Sequence, residues 1–526
     1  MKYTYIILSI FLFTNCRFIE TKTELPSVPL IYYSFNGSVK NTGIEMFSSI
    51  GSQYLSYASG INDSCFDLSL SAKQRIPMII NTKEKMHLDR YNGFSMAVWV
   101  KQVSGSFEEY AIIGNKSLNK PNEKGWMLST TKEGSWKFEI SDGTNTWNYK
   151  ASSYRQIIND GNWHQLAVVV NKTQKEIHLY YDGNNVGILS IAQLTSLSGN
   201  RNIHIGCDPD SKNYAQDSFY GCIDEVGLWT KVLFPSNIKE SYYKFNSSID
   251  VDRTKPIKND FKVLSWNIWN GGKEKGREAG LDMVSEIIKN SKADFVSLQE
   301  TNNSGEYIAD KLGYYHFKRS NNLSFLSKYP IEQTFDIYKE TNFGVVKINI
   351  EKDLSLYLAS IKLNNKPNIR GLLMNSLSNV DSIVSKEKST RGKEVQFILN
   401  EMKQLSNKGS KRDAFIISGD LNSGSHLDWT AENKDHKNGL VIPFPATMYF
   451  EKMGYTDSFR EIFPDETKVF GTTFSPIFTE GYQDRLDYTY YKGTSIKPIE
   501  AEVITSSKSF FPSKRGALLT TFKITE

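Results

Sequence analysis

Ile416-Ile-Ser-Gly-Asp420-Leu-Asn422-Ser-Gly-Ser-His426-Leu-Asp-Trp429 is the stretch on which the reading of this chain turns. An aliphatic run gives way to a carboxylate and an amide two residues apart, a spacing that turns both toward one face of a strand end. Gly419, just before them, permits close backbone approach. The same grammar recurs upstream. Phe261-Lys-Val-Leu-Ser-Trp-Asn267 ends on an amide and Ala293-Asp-Phe-Val-Ser-Leu-Gln-Glu300 on a carboxylate. Strands are further predicted at Leu354–Leu363 and Asp413–Ser418. Helices are predicted at Arg277–Asn290, with Leu281, Val284, Ile287 and Ile288 at three- and four-residue spacing, and at Val395–Gln404. Alternating strands and helices predict layered α/β from residue 261 to 526, with mixed sheets inside and helices outside. Polar residues at the ends of apolar strands are where such folds place chemistry.

Residues 29–245 follow a different grammar. Phe94-Ser-Met-Ala-Val-Trp-Val100, Trp136-Lys-Phe-Glu-Ile140, Leu166-Ala-Val-Val-Val170 and Ile177-His-Leu-Tyr-Tyr181 are short alternating or aliphatic runs. Asp142-Gly143 and Asp182-Gly183 punctuate them, which predicts antiparallel strands in a two-sheet sandwich. The polar stretch 246–260 keeps no apolar period and reads as a linker. A length of 526 residues suits two domains, and a net charge of +5 gives no warrant for nucleic-acid binding.

At the start, Tyr5-Ile-Ile-Leu-Ser-Ile-Phe-Leu-Phe13 has the size of a signal-peptide core and is too short to span a bilayer. Phe13-Thr-Asn-Cys16 follows, and residues 1–16 resemble a bacterial lipoprotein signal peptide and lipobox, in which Cys16 becomes the new N-terminal residue and carries the lipid. The expectation is an exported, membrane-anchored protein, periplasmic or at the cell surface. Of the other cysteines, Cys207 and Cys222 flank a turn-rich segment and read either as a disulfide stapling neighbouring strands or as unpaired thiols, with Cys65 left over.

Tyr32-Tyr-Ser-Phe-Asn-Gly37, Phe94–Val100, Asp160-Gly-Asn-Trp-His-Gln-Leu-Ala-Val-Val169 and Gly221-Cys-Ile-Asp-Glu-Val-Gly-Leu-Trp229 resemble the recurring strands of the laminin-G-like or concanavalin A-like jelly roll. That resemblance implies a glycan or protein ligand for the first domain, by analogy of fold alone. Asp224-Glu225 reads as a pair packing the sheet rim, although relatives often hold calcium near one rim. His164 reads as a structural residue.

The second half offers hard-oxygen chemistry suited to Mg²⁺: Glu300 at one strand end with Asn267 beside it. Hydrolysing a phosphoester needs charge neutralisation on the phosphoryl oxygens, a positioned water and a stabilised leaving oxygen. Ser265-Trp-Asn267, Ser297-Leu-Gln-Glu300, Leu326-Ser-Lys-Tyr-Pro-Ile331, Ser418-Gly-Asp-Leu-Asn-Ser423, Asp484-Arg-Leu-Asp487-Tyr and Pro512-Ser-Lys-Arg-Gly516 occur in the order of the endonuclease/exonuclease/phosphatase superfamily, which they closely resemble. The resemblance implies a DNase I-like four-layered sandwich, metal at Asn267 and Glu300, and a water positioned by Asp420. It also implies phosphate contact by Asn422, and an Asp487 that orients a histidine.

The departures are specific. Lys362 stands where the family has a phosphate-contacting histidine, and Ser513-Lys514-Arg515 where it has Ser-Asp-His. The last of the seven histidines is His436, so no imidazole is left for Asp487 to orient. Losing such a histidine costs about 10²–10⁴-fold in rate. Two readings stand. In the first, an exported Mg²⁺-dependent phosphoesterase acts on a phosphorylated substrate, with Lys362 or Arg515 stabilising the transition state. In the second, a degenerate relative binds phosphate through Lys and Arg. Hydrolysis requires Glu300 and Asp420 to converge in a solvent-filled hollow. Trp266, Trp269, Trp429 and Phe474 are the aromatics that would stack on a ligand there, or else pack the core.

Overall fold

The computed structural model describes residues 28–70, 75–83, 85–246, 259–274, 276–351, 353–374, 379–478, 482–506 and 511–525. Cys16 and most of the expected linker lie outside them.

The first half is a sandwich of two antiparallel sheets. Gly93–Gln102 pairs with His164–Asn171 on one side and Gly221–Trp229 on the other. Phe94, Met96, Val98 and Val100 alternate inward and meet Trp126, Leu128, Phe138 and Ile140 of the facing sheet. The opposite face of Gly93–Gln102 is buried too. Ala97 there joins Ala167, Val169 and Tyr180 beneath the helix Pro235–Tyr243, packing against its Ile238. That explains an apolar run where simple alternation would leave one face wet. Asp182 and Gly183 take left-handed backbone (φ 50° and 74°), the geometry an Asp-Gly hairpin turn demands.

The expected Cys207–Cys222 staple is corrected. Both are free thiols, as is Cys65. Cys222 lies opposite Asp67 in the strand register, which brings it beside Cys65, while Cys207 Sγ meets His204 Nδ1 at 3.5 Å. Neighbouring Cys65 and then burial push the Cys222 thiol up, and burial pushes up that of Cys207. At the rim, Asp224 accepts from the Ile61 and Glu225 N–H groups, and Glu225 from Tyr32 and Asn62. Their oxygens are thus engaged by the protein, and burial pushes both carboxyls up to about 7. Calcium asks for six to eight oxygens, and among the described residues no group of three acidic, His or Cys ligands converges on one point.

The second half packs two sheets face to face. One carries Asp260–Asn267 and Phe295–Gln299 in parallel at its centre. The other carries Leu354–Lys362 parallel to Ala414–Asp420, with Asp487–Lys492 antiparallel beside them. Val263, Phe295, Phe325, Val346, Leu358 and Ile416 fill the space between. The helices Arg277–Ser291 and Gly305–Leu312 cover the outer face of the first sheet. Arg391–Ser406 and Pro445–Lys452 cover that of the second. The four layers therefore run helix, sheet, sheet, helix.

The halves share a sheet. Ile188 and Leu189 of Asn184–Ser190 pair in parallel with Phe317 and Lys318 of Tyr315–Lys318, making one 14-stranded sheet that runs through both domains. Arg319, 2% exposed, donates to Ser190 Oγ at 3.0 Å and to Asp336 at 2.6 Å.

Candidate functional site

Strand ends from both sheets meet at one edge. In one sheet Lys362 lies opposite Asp420, and Asp420 opposite Asp487. In the other, Asn267 lies opposite Gln299, and Glu300 follows directly. The backbone there is strained: Trp269, Asn270, Glu300 and Asn422 all have left-handed φ between 46° and 54°. For residues other than glycine that conformation survives only where the surroundings over-determine it.

The side chains converge as the sequence anticipated. Asn267 Nδ2 donates to Glu300 Oε1 at 3.0 Å and to Asp420 Oδ2 at 3.1 Å, so one amide bridges the two carboxylates. Lys362 Nζ stands 3.2 Å from Glu300 Oε1. Arg515 Nη2 lies 3.1 Å from each oxygen of Asp420 and 3.0 Å from Asn422 Oδ1, and Nη1 reaches Asp487 at 3.5 Å. The Arg515 backbone is held by the Trp266 indole N–H, which donates to its carbonyl at 2.9 Å, and by Ser513 Oγ, which accepts from its N–H.

Asp420 is 1% exposed and Asp487 0%. Burial pushes the Asp487 carboxyl up to about 7; Arg515 opposes this, while Asp420 and Glu300 add to it. Burial alone would raise Glu300 as well, but Lys362, Asn267 and Arg515 outweigh it and hold that carboxyl below its usual range. Lys362 and Arg515 are thus the cations set among Glu300, Asp420 and Asp487.

Beside this cluster opens a cleft of about 340 Å³ lined by Lys366, Arg370, Asn422, Phe474, Tyr482 and Arg515. The Arg370 and Arg515 guanidiniums lie 4.7 and 5.1 Å from the Phe474 ring centroid. Lys514 Nζ sits 3.2 Å from that of Trp269. Among the described residues, none of Lys366, Arg370 and Lys514 has a carboxylate partner. Trp266 and Trp429, by contrast, are core residues.

Comparison with known proteins adds two family matches. Residues 80–239 match a model of the concanavalin A-like lectin/glucanases superfamily, and residues 264–513 one of the endonuclease/exonuclease/phosphatase family. The chain carries a concanavalin A-like domain followed by an endonuclease/exonuclease/phosphatase domain. An uncharacterized protein of Caenorhabditis elegans, F14F9.5, is 29% identical over 253 residues, 45% of this chain and 79% of that protein. Among solved structures, truncated TDP2 of the same organism is 18% identical, covering 50% of this chain and 97% of that one, with a TM-score of 0.36. An endonuclease/exonuclease/phosphatase from Beutenbergia cavernae is 12% identical, covering 51% and 72%, also at 0.36.

In the phosphatase-family domain, Asn267, Glu300, Asp420, Asn422 and Asp487 converge and are contacted by Lys362 and Arg515. The residues do not fit Mg²⁺, which wants near-octahedral oxygen donors. Glu300 Oε1 already receives Lys362 and Asn267, and both Asp420 oxygens receive Arg515. Asn267 turns its N–H toward the carboxylates while its Oδ1 accepts from the Trp269 N–H. At the position where a metal was expected, Lys362 and Asn267 share Glu300 Oε1. Asp420, expected to position water, is buried beneath Arg515. Asp487, expected to orient a histidine, pairs with Arg515. Sequence reasoning missed Arg370 and Lys366. Their signal was the four-residue spacing of Lys362, Lys366 and Arg370 beyond a strand end.

Proposed function

We propose that the second domain binds a phosphorylated ligand without hydrolysing it, within an exported protein anchored through lipid on Cys16. The observation that carries this reading is the Arg515 guanidinium closed over both oxygens of Asp420. It occupies the carboxylate that would align water, and it supplies no base near neutral pH. The cations at the cleft mouth then meet phosphate oxygens directly, with Arg370 offering planar paired donors and Lys366 and Lys514 point charges.

The test uses the purified chain with inorganic phosphate, p-nitrophenyl phosphate and bis-p-nitrophenyl phosphate, with and without Mg²⁺. The expected result is phosphate binding that needs no divalent ion and no turnover that depends on Asp420. Turnover abolished by Asp420→Ala would establish the hydrolytic reading instead, which the convergence of Asn267, Glu300, Asp420, Asn422 and Asp487 favours. The triple change Lys362→His, Lys514→Asp and Arg515→His, which returns the family pattern, is expected to introduce Mg²⁺ binding measurable by calorimetry. For the anchor, metabolic labelling with palmitate should mark the wild type and not Cys16→Ser; equal labelling would remove Cys16 as the lipid site.

A further inference from the structure

We infer that the junction of the two domains holds a second site, for a neutral oligosaccharide. A cleft of about 400 Å³ opens where the edge strand Thr146–Lys150 of the sandwich faces loops of the phosphatase-family domain. That volume falls in the range of small-molecule sites, roughly 300–1,000 Å³.

Its chemistry is that of amides. Asn145 and Asn148 line it from the sandwich, and Asn303, Asn321 and Asn322 from the other domain. Their side chains make no hydrogen bond among the described residues, and Asn148, Asn303 and Asn321 are exposed. Each amide offers two donors and a carbonyl acceptor within one plane, a match for adjacent hydroxyls that both give and accept. Trp147, between Asn145 and Asn148, packs against the sandwich core, is only partly buried and lines the cleft. That is an apolar surface for the C–H face of a sugar ring.

The cations at the cleft argue against an anionic ligand because both are already engaged. Lys318 pairs with Glu306 at 2.6 Å, and Arg319 spends its donors on Ser190, Asp336 and the Phe343 and Tyr338 carbonyls. Glu340, the remaining charged group of the lining, has its carboxyl raised by burial. The site exists only because the domains share a sheet: Ser190 and Lys318 end the two strands paired across the junction, and both line the cleft. This inference does not rest on the phosphate reading.

The experiment titrates the full chain with maltotetraose, cellotetraose, xylotetraose, mannotetraose and chitotetraose at millimolar concentration, read by saturation-transfer NMR. At least one should bind. Its affinity should fall roughly tenfold both in Asn148→Ala, on the sandwich, and in Asn321→Ala, on the other domain, with inorganic phosphate binding unchanged. Trp147→Ala is measured alongside, but the exposed asparagines decide the outcome, because their loss leaves the core intact. The inference is overturned if no member binds, if binding ignores either asparagine variant, or if a sulfated oligosaccharide outcompetes its neutral counterpart.

Discussion

Arg515 sits among three carboxylates, two of them with almost no access to water. Breaking such an arrangement by removing the cation leaves uncompensated buried charge, whose cost is about 3–5 kcal/mol. Arg515→Met should therefore lose about that much stability to urea at pH 8 and markedly less at pH 5, where Asp487 holds its proton. An equal loss at both values would show that Asp487 does not take up the charge. The sign for Asp487 itself follows from its raised carboxyl, pushed up to about 7 in the fold against an ordinary value of about 3.9 unfolded. The folded state holds the proton more tightly, so this contribution is fully present below about pH 4 and is lost as pH rises through about 7. Asp224 and Glu225, also raised to about 7, act in the same direction. Asp487→Asn should remove its share and flatten the decline in stability between pH 4 and 7 by about 2–4 kcal/mol. Urea midpoints across that range check it, and an unchanged slope would assign the decline to the rim pair alone.

At the level of elements, the site depends on how closely Leu354–Lys362 and Ala414–Asp420 approach. Gly419 has φ +152°, and a Cβ there would collide with the Ile361 carbonyl across the strand pair. Gly419→Ala should cost about 2–4 kcal/mol in urea unfolding and displace Asp420 from Arg515; tolerance within experimental error would mean that the pair can spread at no cost. The helix Ile369–Leu373, capped by Asn368, carries Arg370 toward the cleft from just beyond the same strand end. Arg370 lies outside the buried cluster, so Arg370→Ala should leave stability nearly unchanged while weakening phosphate binding roughly tenfold. The remaining affinity should depend less on salt. An affinity equal to that of the wild type would place the anion elsewhere.

Across the whole molecule, the shared sheet makes the two domains mechanical neighbours. Ile188 belongs to the sandwich by sequence, yet it packs in the core between the sheets of the second domain. Gln156 of the sandwich donates to Asp310 at 3.0 Å in a buried contact. Calorimetry should show a single unfolding transition for the full chain, since neither half exposes its junction edge without losing part of a core. Ile188→Ala should cost about 2–5 kcal/mol and begin to split that transition. Two separate transitions in the wild type would mean that the junction contributes little.

The amino-acid sequence by itself determined the two architectures, their order, and the strand ends that bear Asn267, Glu300, Asp420, Asn422 and Asp487. Those features are written in apolar periodicity and in polar residues placed where buried runs begin or end, which are local properties. Only the tertiary structure decided what those groups meet. Arg515 reaches Asp420 from 95 positions away, Lys362 comes to stand beside Glu300, and Cys222 finds Cys65 in place of Cys207. The amide-lined junction cleft is of the same kind. Such pairings depend on strand register and side-chain reach between segments remote in sequence, and no period along the chain encodes either.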